Sequence, residues 1–250
     1  MLLMLTVAVG VAEMLGAALI PRVAYRLSVP FEDPWRAGCE HCGTAYRPGW
    51  RGWLHAGSRC PACGVRTGPR TWIVSVSAGV AGAACAWVLG PSPLLAVFAV
   101  AILAGTLLAA VDIACMRLPD VVVLPTVAAV AVALAAVSVA AGDYHHLVRA
   151  LEAAGALAAI YFVLGVVTGG GIGLGDVKLA LLLGLLLGWL GWPFVMAGAV
   201  IAHLLHGVLS AGALIRRRAD SKSLLPMGPA LLIGAWCAVA VIPAAVSLTQ

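Results

Sequence analysis

Charged side chains are scarce in this chain: they make up only 10% of its residues, whereas hydrophobic residues make up 63%. The mean hydropathy is +1.07. A soluble globular domain carries about 25% charged residues, and a disordered chain is poor in hydrophobic residues. Both classes are therefore excluded. The composition is typical of an all-α polytopic membrane protein.

Long polar stretches are also rare, and apolar runs long enough to cross a bilayer follow one another along most of the chain. A membrane-spanning helix needs about 20 predominantly apolar residues. We predict about eight transmembrane helices, near residues 2–20, 71–90, 93–114, 121–141, 150–168, 178–191, 193–215 and 228–248. The sixth is short and runs into Gly191-Trp192-Pro193. It is either half of a broken helix or one arm of a tight hairpin with the seventh.

Basic residues are concentrated on one side of this topology. Short loops rich in Lys and Arg stay in the cytoplasm, and one orientation places fourteen of the fifteen Lys and Arg residues inside, with only Arg149 outside. Arginines follow the first span directly and none precedes it, which predicts a retained anchor and not a cleaved signal peptide. The net charge of +5 indicates anionic membrane lipid as the partner and requires no nucleic acid.

Residues 21–70 differ abruptly from the rest, because they hold most of the arginines and several prolines and glycines. We interpret them as a small cytoplasmic insert. It contains two C-x-x-C pairs separated by seventeen residues, each followed by a glycine, namely Cys39 with Cys42 before Gly43, and Cys60 with Cys63 before Gly64. This spacing is typical of a structural Zn²⁺ site with four thiolate ligands. Two disulfides or a redox pair are the alternatives, and His41 or His55 is a possible substitute ligand.

Two aspartates stand out, because carboxylates inside apolar runs are costly and usually functional. Asp112 falls in the last turn of the third predicted span. Asp176 follows the glycine-rich tract 169–175 and opens the sixth span, so both are expected at the cytoplasmic face. Two carboxylates in a partly desolvated cleft share a proton, and one can then act as base on a water while the other polarises a carbonyl.

Simpler roles for these acidic residues remain open. An aspartate near a helix end can cap the helix or pair with a cation such as Arg117 or Lys178. Asp120 is a rival for the first catalytic position, but an N-cap for a helix starting at Val121 is sufficient explanation. Lys178 either shapes the site and binds a substrate or lipid group, or forms a structural ion pair. Gly173 and Gly175 lack a Cβ and so allow a close approach of backbone.

Five features of the chain resemble, in the same order, those of the type IV prepilin peptidase family, bacterial membrane aspartyl proteases with a G-x-G-D motif. They are Tyr25-Arg26-Leu27 after the first span, the paired C-x-x-C, a D-x-x-x-x-x-L-P-D stretch from Asp112 to Asp120, Gly173-Leu174-Gly175-Asp176-Val177-Lys178, and Leu225-Pro226-Met227-Gly228-Pro229. The resemblance implies that Asp112 and Asp176 are catalytic. It also implies that prepilins or pseudopilins are cut on the cytoplasmic side of the bacterial inner membrane.

The resemblance implies a domain division as well: a first transmembrane helix (1–20), the four-cysteine insert (21–70) and a membrane-embedded aspartyl protease domain (71–250). Many members of the family also methylate the new N terminus with S-adenosylmethionine. The match there is partial, because the family's polar Ser and Asn near the end of the first span are replaced by the apolar run Gly16-Ala17-Ala18-Leu19-Ile20.

Two functions of other classes compete with a peptidase. An ion- or proton-coupled transporter also uses intramembrane carboxylates and glycine-broken helices, but it places them near the middle of the bilayer. A non-catalytic assembly protein with a partner-binding zinc module is the second. It predicts that Asp112→Asn and Asp176→Asn each leave function intact.

Overall fold

The computed structural model describes residues 1–30, 33–169, 171–215 and 225–248. Within these ranges the chain forms α-helices and two isolated β-bridges, which confirms the all-α expectation. The helices are α1 (Leu2–Ala17), α2 (Ile20–Leu27), α3 (Trp50–Trp53), α4 (Thr71–Leu89), α5 (Pro93–Cys115), α6 (Asp120–Ala141), α7 (His145–Val167), α8 (Leu174–Leu190), α9 (Trp192–Ile215) and α10 (Gly228–Leu248).

Every predicted span corresponds to a helix, but the number of spans is not settled by length and hydropathy. Among the described residues, five helices, α4, α5, α6, α7 and α9, are long and apolar enough to cross a membrane, and a sixth span results if α1 and α2 are counted together. The helix α8 has 17 residues, and the described side chains of α10 cover only Gly228–Ile242, which is also shorter than 18 residues. The figure of eight spans is therefore not confirmed.

The first span differs from its predicted form. Helix α1 ends at Ala17, and α2 continues at an angle of 42° into the residues assigned to the insert. Proline occupies the first turn of α2, at Pro21, where its missing N–H costs nothing. The helical structure of the first span thus extends past residue 20, to Leu27.

Small residues let the membrane helices pack closely. A Cβ on Gly184 of α8 would lie 2.4 Å from the Cα of Ala154 in α7, and a Cβ on Gly188 would lie 3.0 Å from the Cα of Ala150. Such contacts stabilise helix pairs in lipid, where the hydrophobic effect does not drive association. The two helices therefore run antiparallel in a fixed register.

The short sixth span ends in a tight turn. Only Gly191 separates α8 from α9, and its φ of 143° lies outside the range that other residues readily adopt. Across this turn a Cβ on Gly198 would lie 2.8 Å from the side chain of Leu187. A continuous helix could not bring these two residues together, so the chain reverses sharply at Gly191.

Alternating helix directions bring four helix ends together at one end of the bundle. These are the last turn of α5 and the first turns of α6, α8 and α10, which hold the acidic residues and motifs described above. Some residues used in the sequence analysis lie outside the described part of the chain, namely Gly170 of the glycine tract and the cations Arg216, Arg217, Arg218 and Lys222.

Candidate active site and cysteine cluster

Asp112 lies in the last turn of α5 and is only 4% exposed. The helix ends directly after it, at Met116, which adopts a left-handed conformation with φ of 52°. The carboxylate Oδ2 of Asp112 accepts a hydrogen bond of 2.9 Å from the backbone N–H of Gly228, the first residue of α10. A Cβ on Gly228 would lie 2.8 Å from that same oxygen, so the glycine is required for the approach.

Asp176 lies in the first turn of α8, where a negative charge is favoured by the helix dipole. Its Oδ2 accepts a hydrogen bond of 3.3 Å from the N–H of Gly173. Its Oδ1 is buried and has no hydrogen-bond partner among the described residues. One oxygen therefore fixes the side chain at the start of the helix, and the other is free to act on a substrate or a water.

The structure brings the two aspartates into one site. Their carboxylates are close enough for the charge of Asp112 to act on Asp176. The side chain of Leu118 is close to a neighbour of each aspartate. It lies 2.9 Å from the position of a Cβ on Gly175, next to Asp176, and 3.5 Å from that of a Cβ on Gly228, which is hydrogen-bonded to Asp112. The aspartates are 64 residues apart in the sequence, so this convergence is a property of the fold.

The two predicted site glycines differ in their surroundings. A Cβ on Gly175 would meet Leu118 at 2.9 Å, whereas a Cβ on Gly173 would meet its first neighbour, Asp176 Oδ2, only at 3.6 Å. Gly173 is in an extended conformation that other residues adopt, with φ of −78°. The close approach that the sequence predicted is therefore found at Gly175 and not at Gly173.

The N-cap role expected for Asp120 is wrong. Helix α6 begins at Asp120 itself, Pro119 occupies the N-cap position, and no side chain caps the helix. Asp120 instead forms an ion pair of 2.6 Å with Lys178. Of the two roles considered for Lys178, the structure shows the ion pair, which joins the first turns of α6 and α8 beside the site.

Tyr161 of α7 is a buried polar residue that the sequence analysis did not single out. Gly184 of α8 lies against Ala154 of α7. Two turns farther along this antiparallel pair, Tyr161 and Phe162 of α7 are level with Asp176 of α8. Tyr161 is 1% exposed and Phe162 is 51% exposed, so Tyr161 faces the interior. Its hydroxyl has no hydrogen-bond partner among the described residues, and it lies within range of the Asp176 charge.

The four cysteines of the insert converge on one point. Their sulfurs all lie within 4.8 Å of one another, with 3.9 Å between Cys39 and Cys63 and 3.7 Å between Cys42 and Cys60. Tetrahedral zinc with Zn–S bonds of about 2.3 Å separates its sulfurs by roughly 3.8 Å. All four are free thiols, so the disulfide alternative is wrong for this structure. The donor set fits a structural metal ion.

The two C-x-x-C pairs adopt the same turn. The N–H of Gly43 donates to the carbonyl of Cys39 and that of Gly64 to the carbonyl of Cys60, at 2.8 and 2.9 Å. Both glycines have φ of 70°, a left-handed conformation that favours glycine over other residues. Hydrogen bonds from the side chain and backbone of Thr44 lower the pKa of Cys42, which favours its thiolate form.

The sequence of this chain is similar to those of known leader peptidases. The family model of the type IV leader peptidase family matches residues 99–208, a range that contains both Asp112 and Asp176. A prepilin leader peptidase/N-methyltransferase of Pseudomonas aeruginosa is 30% identical over 241 residues, which cover 91% of this chain and 77% of that protein.

Proteins of the same name from two further organisms are also similar. The one from Stutzerimonas stutzeri is 30% identical and covers 80% of this chain and 70% of its own length. The one from Burkholderia pseudomallei is 32% identical and covers 84% of this chain and 67% of its own length. No solved structure matches the chain.

Proposed function

Because this chain belongs to the type IV leader peptidase family, we propose that Asp112 and Asp176 are the catalytic pair of this membrane-embedded aspartic endopeptidase. The observation that supports the proposal most is the convergence of the two carboxylates at one end of the helix bundle. Neither is engaged in an ion pair among the described residues, since the one pair beside the site joins Asp120 and Lys178.

The chemistry follows from placing two carboxylates in a partly buried site. The two carboxylates are not easily ionised at the same time, so they share one proton and titrate as a coupled pair. The ionised member removes a proton from a water, which attacks the scissile carbonyl, while the protonated member donates a hydrogen bond to the carbonyl oxygen. The buried and unpartnered Oδ1 of Asp176 supports a direct contact with water or substrate.

The proposed substrates are type IV prepilins or pseudopilins, cut between the leader and the hydrophobic helix of the mature subunit. The support is the name of the similar proteins, which are prepilin leader peptidases. The transporter alternative is not supported, because the family and these relatives are peptidases. Co-expression with a candidate prepilin, followed by N-terminal sequencing of the shorter product, tests the substrate class.

The chain is a multi-pass bacterial membrane protein, as its membrane-length helices and its relatives indicate. We propose in addition that it lies in the inner membrane with the aspartates facing the cytoplasm. The support is the concentration of Lys and Arg on that side of the predicted topology. Cysteine labelling of loop positions with a membrane-impermeant reagent tests this orientation.

We propose that the cysteine cluster holds structural Zn²⁺ through Cys39, Cys42, Cys60 and Cys63. An insert of about fifty residues buries too little apolar surface to fold alone, and a bound metal supplies the missing folding energy.

We also propose that the enzyme methylates the new N terminus, with S-adenosylmethionine as the methyl donor. The support is the second half of the relatives' name.

The contrast between Gly175 and Gly173 provides a steric test of the site. A Cβ on Gly175 would push on Leu118, which also contacts Gly228 beside Asp112. We expect Gly175→Ala to lower prepilin cleavage by about 100-fold, the typical effect of a 1 Å displacement in an active site. Gly173→Ala has room and serves as the matched control, with cleavage unchanged within about twofold. Equal effects of the two variants on initial cleavage rates would contradict this assignment.

The Tyr161 hydroxyl and Asp176 Oδ1 are both buried, and neither has a hydrogen-bond partner among the described residues, so no hydrogen bond joins them in this structure. We propose that one forms when a substrate is bound and then positions Asp176. We expect Tyr161→Phe to lower kcat by about tenfold with KM unchanged, since a hydrogen bond to a charged group contributes about 1.5–3 kcal/mol. Ser138 of α6 is a suitable control, because its hydroxyl is also buried without a partner among the described residues. A loss of kcat in Ser138→Ala as large as in Tyr161→Phe would show a general effect of removing buried hydroxyls.

A further inference from the structure

A cavity of about 360 Å³ lies in the insert, away from the aspartates, and its size is typical of small-ligand sites. It opens beside the cysteine cluster, with Cys60 in its wall. The side chains that define its chemistry are those of Arg22, Tyr46, Arg47, Arg51 and His55.

The wall of this cavity is strongly positive. Three of its residues carry guanidinium groups, and no carboxylate lines it among the described residues. Arg26 lies next to it, stacked 3.8 Å from the ring of Trp53 and 5.7 Å from that of Tyr46. Guanidinium groups that line one cavity repel one another unless an anion lies between them. The cavity is therefore built to attract negative charge.

Arg22 provides the second, independent observation. It is only 4% exposed, and its guanidinium lies 4.2 Å from the centre of the Tyr46 ring. One of its N–H groups donates to the carbonyl of Arg59 at 3.4 Å, and its Nε has no hydrogen-bond partner among the described residues. A buried guanidinium with no carboxylate partner among the described residues is costly, and an oxyanion in the cavity would offset its charge.

The cavity borders the point where the first span leaves the membrane. Arg22 is in the first turn of α2, directly after the bend between α1 and α2. The insert packs against this bend, because the N–H of Gly57 donates to the carbonyl of Ala18 at 3.2 Å. A Cβ on Gly68 would also lie 2.4 Å from the carbonyl oxygen of Pro21. Phosphates of anionic lipids are concentrated at such a boundary on the cytoplasmic side.

We infer that this cavity, defined by Arg22, Arg47, Arg51 and His55 around Tyr46, is a binding site for a phosphate group. Arginine presents its N–H groups in a planar fork that matches phosphate oxygens, which is why arginines dominate phosphate recognition. The phosphate belongs either to the headgroup of an anionic phospholipid or to a soluble phosphorylated compound. The inference does not depend on the catalytic role of the aspartates.

Binding can be measured on the full chain purified in a neutral detergent with its metal bound. Calorimetric titrations use short-chain phosphatidylglycerol, short-chain phosphatidylcholine and inorganic phosphate, all at one ionic strength. We expect phosphatidylglycerol to bind and phosphatidylcholine to bind at least tenfold more weakly. Binding of inorganic phosphate with comparable affinity identifies a soluble ligand as the source, and weak binding of phosphate identifies the lipid headgroup.

Variants distinguish the cavity from general surface charge. Arg47 and Arg51 are exposed, so the double variant R47Q/R51Q is expected to fold normally and to bind the anionic ligand about tenfold more weakly. Arg22→Gln is expected to weaken binding at least as much, with retained metal content as the check on folding. Arg66→Gln is the matched control, because Arg66 is an exposed arginine of the insert outside the cavity.

Three results would overturn the inference. The first is that neither phosphatidylglycerol nor phosphate binds the wild-type chain. The second is that R47Q/R51Q binds the ligand as tightly as the wild type does. The third is that Arg66→Gln weakens binding as much as R47Q/R51Q, which would show non-specific attraction to the basic surface.

Discussion

Asp112→Asn and Asp176→Asn will each reduce prepilin cleavage by about 10³-fold or more, because each removes one half of an acid–base pair. Asparagine has nearly the same shape as aspartate. Its carbonyl oxygen can still accept the hydrogen bonds that Gly228 and Gly173 now donate to the two carboxylates. Both variants should therefore fold and insert normally, and the loss should appear in the rate of the chemical step.

Two further aspartates serve as controls. Asp120→Asn removes an ion pair with Lys178 that is half-exposed and contributes little stability. Asp143→Asn changes the loop between α6 and α7, at the opposite end of the bundle. We expect both to cleave prepilin within a few-fold of the wild-type rate. Full processing by either Asp112→Asn or Asp176→Asn would remove that residue from the catalytic pair and favour a non-catalytic role.

If the cysteine cluster holds zinc as proposed, removal of the metal will unfold the insert while the membrane helices remain folded. Apparent binding free energies of structural zinc are about 10–16 kcal/mol at neutral pH, which exceeds the stability of most domains. We expect one zinc ion per chain in the purified protein. The double variant C39S/C60S should lose it, and the insert should then become sensitive to limited proteolysis. Atomic emission and mass spectrometry of the fragments measure the two effects.

The remaining cysteines allow a matched comparison. Cys85 and Cys237 lie in membrane helices α4 and α10, outside the cluster, so C85S/C237S should keep the zinc. A chain purified without metal whose insert nevertheless resists proteolysis would contradict the structural role. Prepilin cleavage is a separate readout. It should fall on metal removal only if the insert also holds the substrate.

Local sequence patterns predicted much of this structure. The apolar runs located all of the long helices. A single segment in lipid must form its backbone hydrogen bonds within itself, and an α-helix does this. The C-x-x-C pairs predicted the cysteine cluster, because four thiols within one short insert favour a common metal. The rarity of carboxylates in apolar runs drew attention to Asp112 and Asp176, which the fold does bring together.

The missed features depend on contacts between distant parts of the chain. The N–H of Gly228 reaches Asp112 across 116 residues, and Lys178 reaches Asp120 across 58. Neither contact leaves a local pattern. Tyr161 could be placed beside Asp176 only once the register of α7 on α8 was known. Its signal in the sequence is a single polar group within an apolar span, which is weak when taken alone.

The proximity of the two carboxylates can be measured directly by cross-linking. The variant D112C/D176C is prepared in a chain that also carries Cys85→Ala, Cys115→Ala and Cys237→Ala, and zinc is added to protect the cluster cysteines. A protease site between α6 and α7 separates the two positions, and a short thiol-reactive cross-linker rejoins the fragments. D120C/K178C is the positive control, because Lys178 Nζ lies 2.6 Å from Asp120 Oδ1 and the cross-linker makes up the length that the shorter cysteine side chains lack. D112C/D143C is the negative control, with the protease site placed before residue 143.

We expect D112C/D176C to cross-link nearly as efficiently as D120C/K178C in the folded, membrane-inserted protein. If D112C/D176C instead stays uncross-linked like D112C/D143C, while D120C/K178C reacts, the two aspartates do not share a site. The proposed catalytic pair would then be wrong.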